Sequence, residues 1–287
     1  MRCLPVIQTK NWLKQFVKLC EEQSGKETND KQREIICEPL MKLFPNVNLE
    51  IVHYELLRNG LFQANEWQGI KEIVNRLEEQ DVWQIVKNEY KLLRKIWNGP
   101  QVSIYIFPIK NANAKPHKGI PKKNGVAYKG ALFLFLSADL PLEEIKALLA
   151  HEYNHVCRLN YLKLSPEKIP LKDSLIIEGL GEYAVQEMYG EKWLAPWINL
   201  YSDKETMKIW KKYFLPSLDV LGVKNHQSYL YGQGRSGLPK WIGYHIGYKI
   251  VHTFHEKHGP FKNGELYTKS CNEIIKGSNF PINLGDT

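Results

Sequence analysis

The stretch HEYNH at 151–155 sets two histidines four residues apart, with a glutamate directly after the first. On a helix, residues i and i+4 stand one turn apart on the same face, so both imidazoles can reach one tetrahedral ion. Glu152 cannot ligate alongside them, but it can reach a water on that ion and take its proton. Zinc used for catalysis needs a third protein ligand and an open fourth position. A candidate for the third stands 23 residues after His155, at Glu178 in IIEGLGEYAV, and Glu182 follows four residues later. One carboxylate of this pair can bind metal while the other accepts the free N–H of a ligand imidazole, which fixes its tautomer and raises its basicity.

Helices are required to position these groups, and the sequence signals them. The segment ADLPLEEIKALLAHEYNHVCRLNYL offers Ser137 or Asp139 as caps, Pro141 near the first turn, and Glu143 and Glu144 within it. These are helix-start signals, and the acids also suit the helix dipole. At about 100° per residue, Ile145, Leu149, Val156 and Leu159 share one apolar stripe. Glu152 lies inside that stripe, and His151 and His155 lie on its margin. A lone carboxylate on the core side of a helix is costly unless it is paired, hydrogen-bonded or near a metal. Arg158, one turn after His155, can pair with a structural acid or hold a substrate carboxylate.

The loop SPEKIPLKDS leads to a second helix, LIIEGLGEYAVQEMYG, which Asp173 or Ser174 can cap and Gly190 can end. Gly179 and Gly181 remove side chains where the two motif helices would approach. A glycine costs a helix interior about 1 kcal/mol, so close packing is a reason to keep them. Upstream, residues 8 to 98 show apolar residues at helical spacing, and QVSIYIFPI at 101–109 alternates as a strand. The stretch KNANAKPHKGIPKKNG reads as a loop carrying Lys110, Lys115, Lys118, Lys122 and Lys123, and a second strand follows at YKGALFLFLS. Near the C-terminus, GLPKWIGYHIGYKIVHTFHEKHG reads as a helix with Pro239 in its first turn. There Tyr244, Tyr248, Val251 and His255 share one stripe, with His245 beside Trp241 and His252.

The bulk properties fit a globular chain. Of 287 residues, 43% are hydrophobic and 24% charged, which argues against disorder. The formal net charge of +8 reads as a solvated surface. Cys3, Cys20, Cys37, Cys157 and Cys271 are scattered, odd in number and without CxxC spacing, which argues against a disulfide framework and against a thiolate zinc site. The N-terminus lacks the pattern of a secretory signal, and the longest apolar run, ALFLFL, is strand-sized. A cytoplasmic protein is expected.

HEYNH followed by EGLGEY resembles the gluzincin metallopeptidases. More closely, LLAHEYNHVCRLNYL, IIEGLGEYAVQEMYG and PKWIGYHIGYKIV are similar to the YjaZ-like proteins, a family of predicted zinc-dependent proteases of bacilli, over roughly residues 100 to 270. The resemblance implies His151, His155 and Glu178 as the ligands of one Zn2+ per chain, Glu152 as general base and Glu182 as outer-shell partner. It implies a Tyr or His donor to the oxyanion, with Tyr244 the first choice and His245 the second. The expected fold is α+β and mostly helical: a helical region over 1–98, then a zincin-like domain over 99–287 with a small antiparallel sheet beside the active-site helix. ALFLFLS would be an edge strand that an extended substrate could join. Ile177 replaces the Asn that precedes this glutamate in thermolysin, and no GAMEN-like segment is present, so specificity for amino termini is not implied.

The function expected is a zinc peptidase acting on a peptide or protein substrate, with neither membrane nor nucleic acid as partner. The alternatives are a non-catalytic module that binds protein or nucleic acid on the same scaffold, and a zinc hydrolase of small amides or esters. Glu152 favours an enzyme, since a structural zinc site has no use for a base.

Overall fold

The computed structural model describes residues 5–112, 121–128, 130–232, 237–262 and 264–282. Cys3, Lys115 and Lys118 lie outside the described residues. The chain divides into two compact units, Met1–Glu152 and Tyr153–Thr287. Among the described residues, no helix is long and apolar enough to cross a membrane.

The first unit opens with helices α1 (Thr9–Glu22), α2 (Thr28–Gln32), α3 (Leu49–Arg58), α4 (Trp67–Glu79) and α5 (Val82–Trp97). Each long helix buries the stripe that its periodicity marks: Leu13, Phe16 and Val17 on α1, Ile70, Ile73 and Leu77 on α4, Val86, Tyr90 and Leu93 on α5. The periodic run from 66 to 97 is broken at Asp81, whose φ of 54° lies in the left-handed region and separates α4 from α5.

Three strands follow: β1 (Ser103–Pro108), β2 (Lys123–Tyr128) and β3 (Ala131–Leu136), in the spatial order β1-β3-β2. All six residues of β3 are buried, as a central strand covered on both faces requires. Tyr105 stacks on Phe133 at 4.9 Å across the β1–β3 pair.

The sheet corrects two expectations. It is mixed rather than antiparallel, because β1 pairs parallel with β3 and β2 pairs antiparallel with it. Two strands read from sequence imply one reversal of the chain. The intervening β2, drawn partly from the lysine-rich stretch, adds a second reversal and brings β1 and β3 into the same direction. For the same reason ALFLFLS is the centre of the sheet and not its edge. The edge is β2, half-exposed along most of its length, whereas the outer side of β1 is bonded by residues 5–7.

Helix α6 (Leu142–Leu162) runs through the boundary between the units. The second unit continues with α7 (Leu171–Tyr189), α8 (Asp203–Ile209), α9 (Val223–Tyr231), α10 (Ile242–His258), α11 (Glu265–Thr268) and α12 (Cys271–Gly277). Helix α7 is buried on nearly all sides and is the centre of this unit. Against it lies α10, so closely that a Cβ on Gly179 would stand 2.1 Å from the Gly247 carbonyl oxygen. The close approach expected of Gly179 is therefore made to α10. Three expected helix starts also shift. The Pro141 carbonyl accepts the Glu144 and Ile145 N–H groups at the start of α6, Pro170 caps α7 while Asp173 and Ser174 sit inside its first turn, and α10 begins at Ile242, three residues after Pro239.

Candidate metal centre

Helix α6 carries the first part of the site. Glu143 and Glu144 occupy its first turn, and Glu144 pairs with Lys123 of β2 at 3.3 Å. Lys122 likewise pairs with Asp139, so two lysines of the basic stretch hold acids next to the start of α6. His151 and His155 stand one turn apart on this one continuous helix.

Between them Glu152 is buried to 7% exposure. A Cβ built on Gly125 would lie 2.3 Å from its Cγ, 2.5 Å from its Cδ and 2.6 Å from its Oε1. The backbone of the edge strand β2 thus rests directly on the Glu152 side chain, which only a glycine at 125 permits. Sequence reasoning missed Gly125 because its surroundings, KKNG, read as loop. The signal available was the Val-Ala-Tyr run that follows it.

Helix α7 supplies the second part. Within the second unit, Glu178 Oε2 lies 3.4 Å from His155 Nε2. His151, His155 and Glu178 each offer one ligand atom, and these atoms all lie within 4.8 Å of one another. Zinc bound tetrahedrally at about 2.1 Å separates its ligand atoms by about 3.4 Å, so the His155–Glu178 pair already has the spacing that zinc requires. Two imidazole nitrogens and one carboxylate oxygen are also a donor set that zinc takes, with a fourth position left open. The residues fit the ion. Among the described residues no cysteine joins this group: Cys20, Cys37, Cys157 and Cys271 are buried as free thiols, and burial pushes those of Cys37 and Cys157 up to about 12.

The remaining expected residues are placed as follows. Glu182 is buried and accepts the Ala195 backbone N–H at 3.0 Å, tying down the chain beyond α7. Tyr244 is half-exposed in an aromatic cluster, its ring 5.4 Å from Trp197, 5.4 Å from Trp241 and 5.5 Å from Tyr231. The stripe that Tyr244 begins faces α7. Tyr248 donates to Gln186, the Tyr183 hydroxyl lies 2.8 Å from His255 Nδ1, and Val251 packs beside Gly179. His245 has no exposed surface, and its Nε2 lies 3.0 Å from the Thr206 hydroxyl. Burial, with Lys249 adding to it, lowers its pKa. A group that must touch substrate needs accessible surface, so this placement displaces His245 from its second-choice role.

Residues 82–276, more than half of the chain, match the family described as "Predicted Zn-dependent protease (DUF2268)". The chain belongs to this family. It is 34% identical to the uncharacterized protein YjaZ of Bacillus subtilis (strain 168) over 197 residues, covering 68% of this chain and 74% of that protein. It is 31% identical to the uncharacterized protein YjfC of the same organism over 125 residues, 41% of this chain and 42% of that one. No solved structure matches. The family match takes in α5, β1 to β3 and helices α6 to α11, and therefore every residue of the candidate centre.

Proposed function

We propose that this chain is a zinc peptidase of the gluzincin type, holding one Zn2+ on His151, His155 and Glu178 and using Glu152 as general base. The observation that carries the reading is the convergence of those three side chains, with Glu152 on the same helix between the histidines. When bound, the ion supplies Lewis-acid polarisation of water and of a carbonyl oxygen. Glu152 takes a proton from the attacking water and delivers it to the leaving amine. Tyr244 is the proposed donor to the oxygen on which negative charge develops. Glu182 is the outer-shell partner, with one oxygen on the Ala195 N–H and the other assigned to a ligand imidazole.

The substrate is a peptide or protein segment in extended form. It joins the outer edge of β2 through main-chain hydrogen bonds, a mode tolerant of sequence. The contact between Gly125 and Glu152 supports this edge, in place of β3, as the one that brings a peptide to the base. Buried free thiols suit a reducing compartment, and the cytoplasm is the proposed location.

Zinc content of the purified protein and of His151→Ala, measured together with hydrolysis of a quenched peptide library, tests the proposal. The expected result is one zinc per chain and peptide turnover in the parent, both lost in the variant. Zinc without turnover would favour a non-catalytic binding module. Within an active parent, Tyr244→Phe should lower kcat by roughly 10²- to 10³-fold, and an unchanged kcat would remove Tyr244 from the role.

A further inference from the structure

Three residues beyond His155, α6 carries Arg158, whose side chain has no exposed surface. A buried guanidinium is costly unless its donors find acceptors; among the described residues Nε has none, but both Nη groups meet acceptors, drawn from two other elements. Its Nη1 donates to the carbonyl oxygens of Tyr267, at 2.9 Å, and Lys269, at 2.6 Å. Its Nη2 donates to Asp173 Oδ1 at 3.4 Å. Asp173, itself buried, lies in the first turn of α7 and precedes Glu178 by five residues on that helix. Complete burial rules out the other role open to this arginine, recognition of a substrate carboxylate.

We infer that Arg158 is a positioning residue whose guanidinium, sealed between Asp173 and the carbonyls of Tyr267 and Lys269, sets the spacing of His155 on α6 from Glu178 on α7. The inference rests on the metal-centre reading above. At 1.5 Å of rise per residue, His155 stands about 4.5 Å along its helix from the arginine, and Glu178 about 7.5 Å along its own from Asp173. Both ligands therefore lie within about a turn and a half of the fastening point. The guanidinium is a rigid planar fork, so satisfying three acceptors at once allows it one pose. That pose fixes α6, the start of α7 and the segment 267–269 to a common point. If α6 and α7 slide, the 3.4 Å between His155 Nε2 and Glu178 Oε2 opens by a similar amount, and the ion loses a ligand at bonding distance.

The test uses the full-length protein and two variants. Arg158→Lys keeps the charge but cannot span the three acceptors. The double variant Arg158→Met with Asp173→Asn removes both charges at similar volume, so that neither is left buried alone. Each is checked for a cooperative thermal transition. Zinc affinity is then measured by chelator competition well below that transition, and the visible spectrum of the Co2+-loaded protein is recorded. The expected result is folded variants whose zinc affinity is weaker by roughly 10- to 100-fold and whose cobalt bands are shifted. A merely structural arginine would lower the transition temperature while leaving the spectrum unchanged. Folded variants with parental zinc affinity and parental cobalt bands would overturn the inference. A parent that takes up no zinc would overturn the metal-centre reading itself, a failure visible before any variant is made.

Discussion

A carboxylate between two metal-ligand candidates has two ways to be useful, as a further ligand or as a base, and the role proposed for Glu152 is the second. The candidate ligand group is His151, His155 and Glu178, whose ligand atoms come together without Glu152. Glu152 instead lies under the backbone of β2, buried against the spot where Gly125 lacks a side chain. A base needs a carboxylate that can accept a proton, whereas metal retention does not depend on that residue's charge. Glu152→Gln keeps the shape and removes the basicity. The variant should hold zinc as the parent does while kcat falls by roughly 10²- to 10⁴-fold, checked by metal analysis and turnover on one sample. Full activity in the glutamine variant would assign the proton transfer elsewhere.

Two glycines at element contacts should respond to a methyl group through different neighbours, a side chain in one case and a backbone in the other. On β2, Gly125→Ala meets a flexible side chain, Glu152, which can swing aside. The fold should survive with a loss within about 1–3 kcal/mol. Zinc should remain, but a displaced base should cost kcat roughly 100-fold; a parental kcat would show that Glu152 does not need this clearance. On α7, Gly179→Ala meets the Gly247 carbonyl oxygen and the side chain of Val251, and a backbone cannot swing aside. Alanine normally favours a helix over glycine by about 1 kcal/mol, yet here the transition temperature should fall, by the equivalent of about 1–3 kcal/mol or more. A rise would mean that the helices separate freely. These contacts also mark how far the sequence was legible. The periodicity of α6 and α7 and the pairing of HEYNH with EGLGEY place the ligand candidates, because helical spacing is local information. Strand β2 was hidden because Lys123, Asn124 and Gly125 are poor strand formers, recruited through pairing with β3. The fate of His245 was hidden for a similar reason, since its partner Thr206 lies 39 residues away on α8. The acid that holds Arg158 likewise reads as a helix cap from sequence, whereas α7 starts at Leu171 with Pro170 as its cap.

Across the whole molecule, buried histidines couple the fold to pH. His53 lies against Gln32, His226 between the Ser174 hydroxyl and the Val220 carbonyl, each at 2.8 Å, and His245 against Thr206. Burial is the main cause that lowers the pKa of each below the ordinary 6.5, reinforced by Arg33 at His53 and Lys249 at His245, and opposed by the Val220 carbonyl at His226. A histidine with a depressed pKa in the fold takes up its proton more readily in the unfolded chain. Its contribution to stability is therefore complete above about 6.5 and is lost as pH falls towards the folded value. The formal charge of +8 adds self-repulsion in the same direction as protons accumulate. Acid also releases zinc from imidazoles, so the effect is isolated by working with chelator present throughout. Under those conditions the thermal transition should fall between pH 8 and pH 5, above the range where carboxylates titrate. His226→Gln can still reach the Val220 carbonyl but cannot titrate. It should show a shallower pH dependence than the parent, whatever its stability at pH 8, and an unchanged slope would mean that His226 is not among the groups that set it.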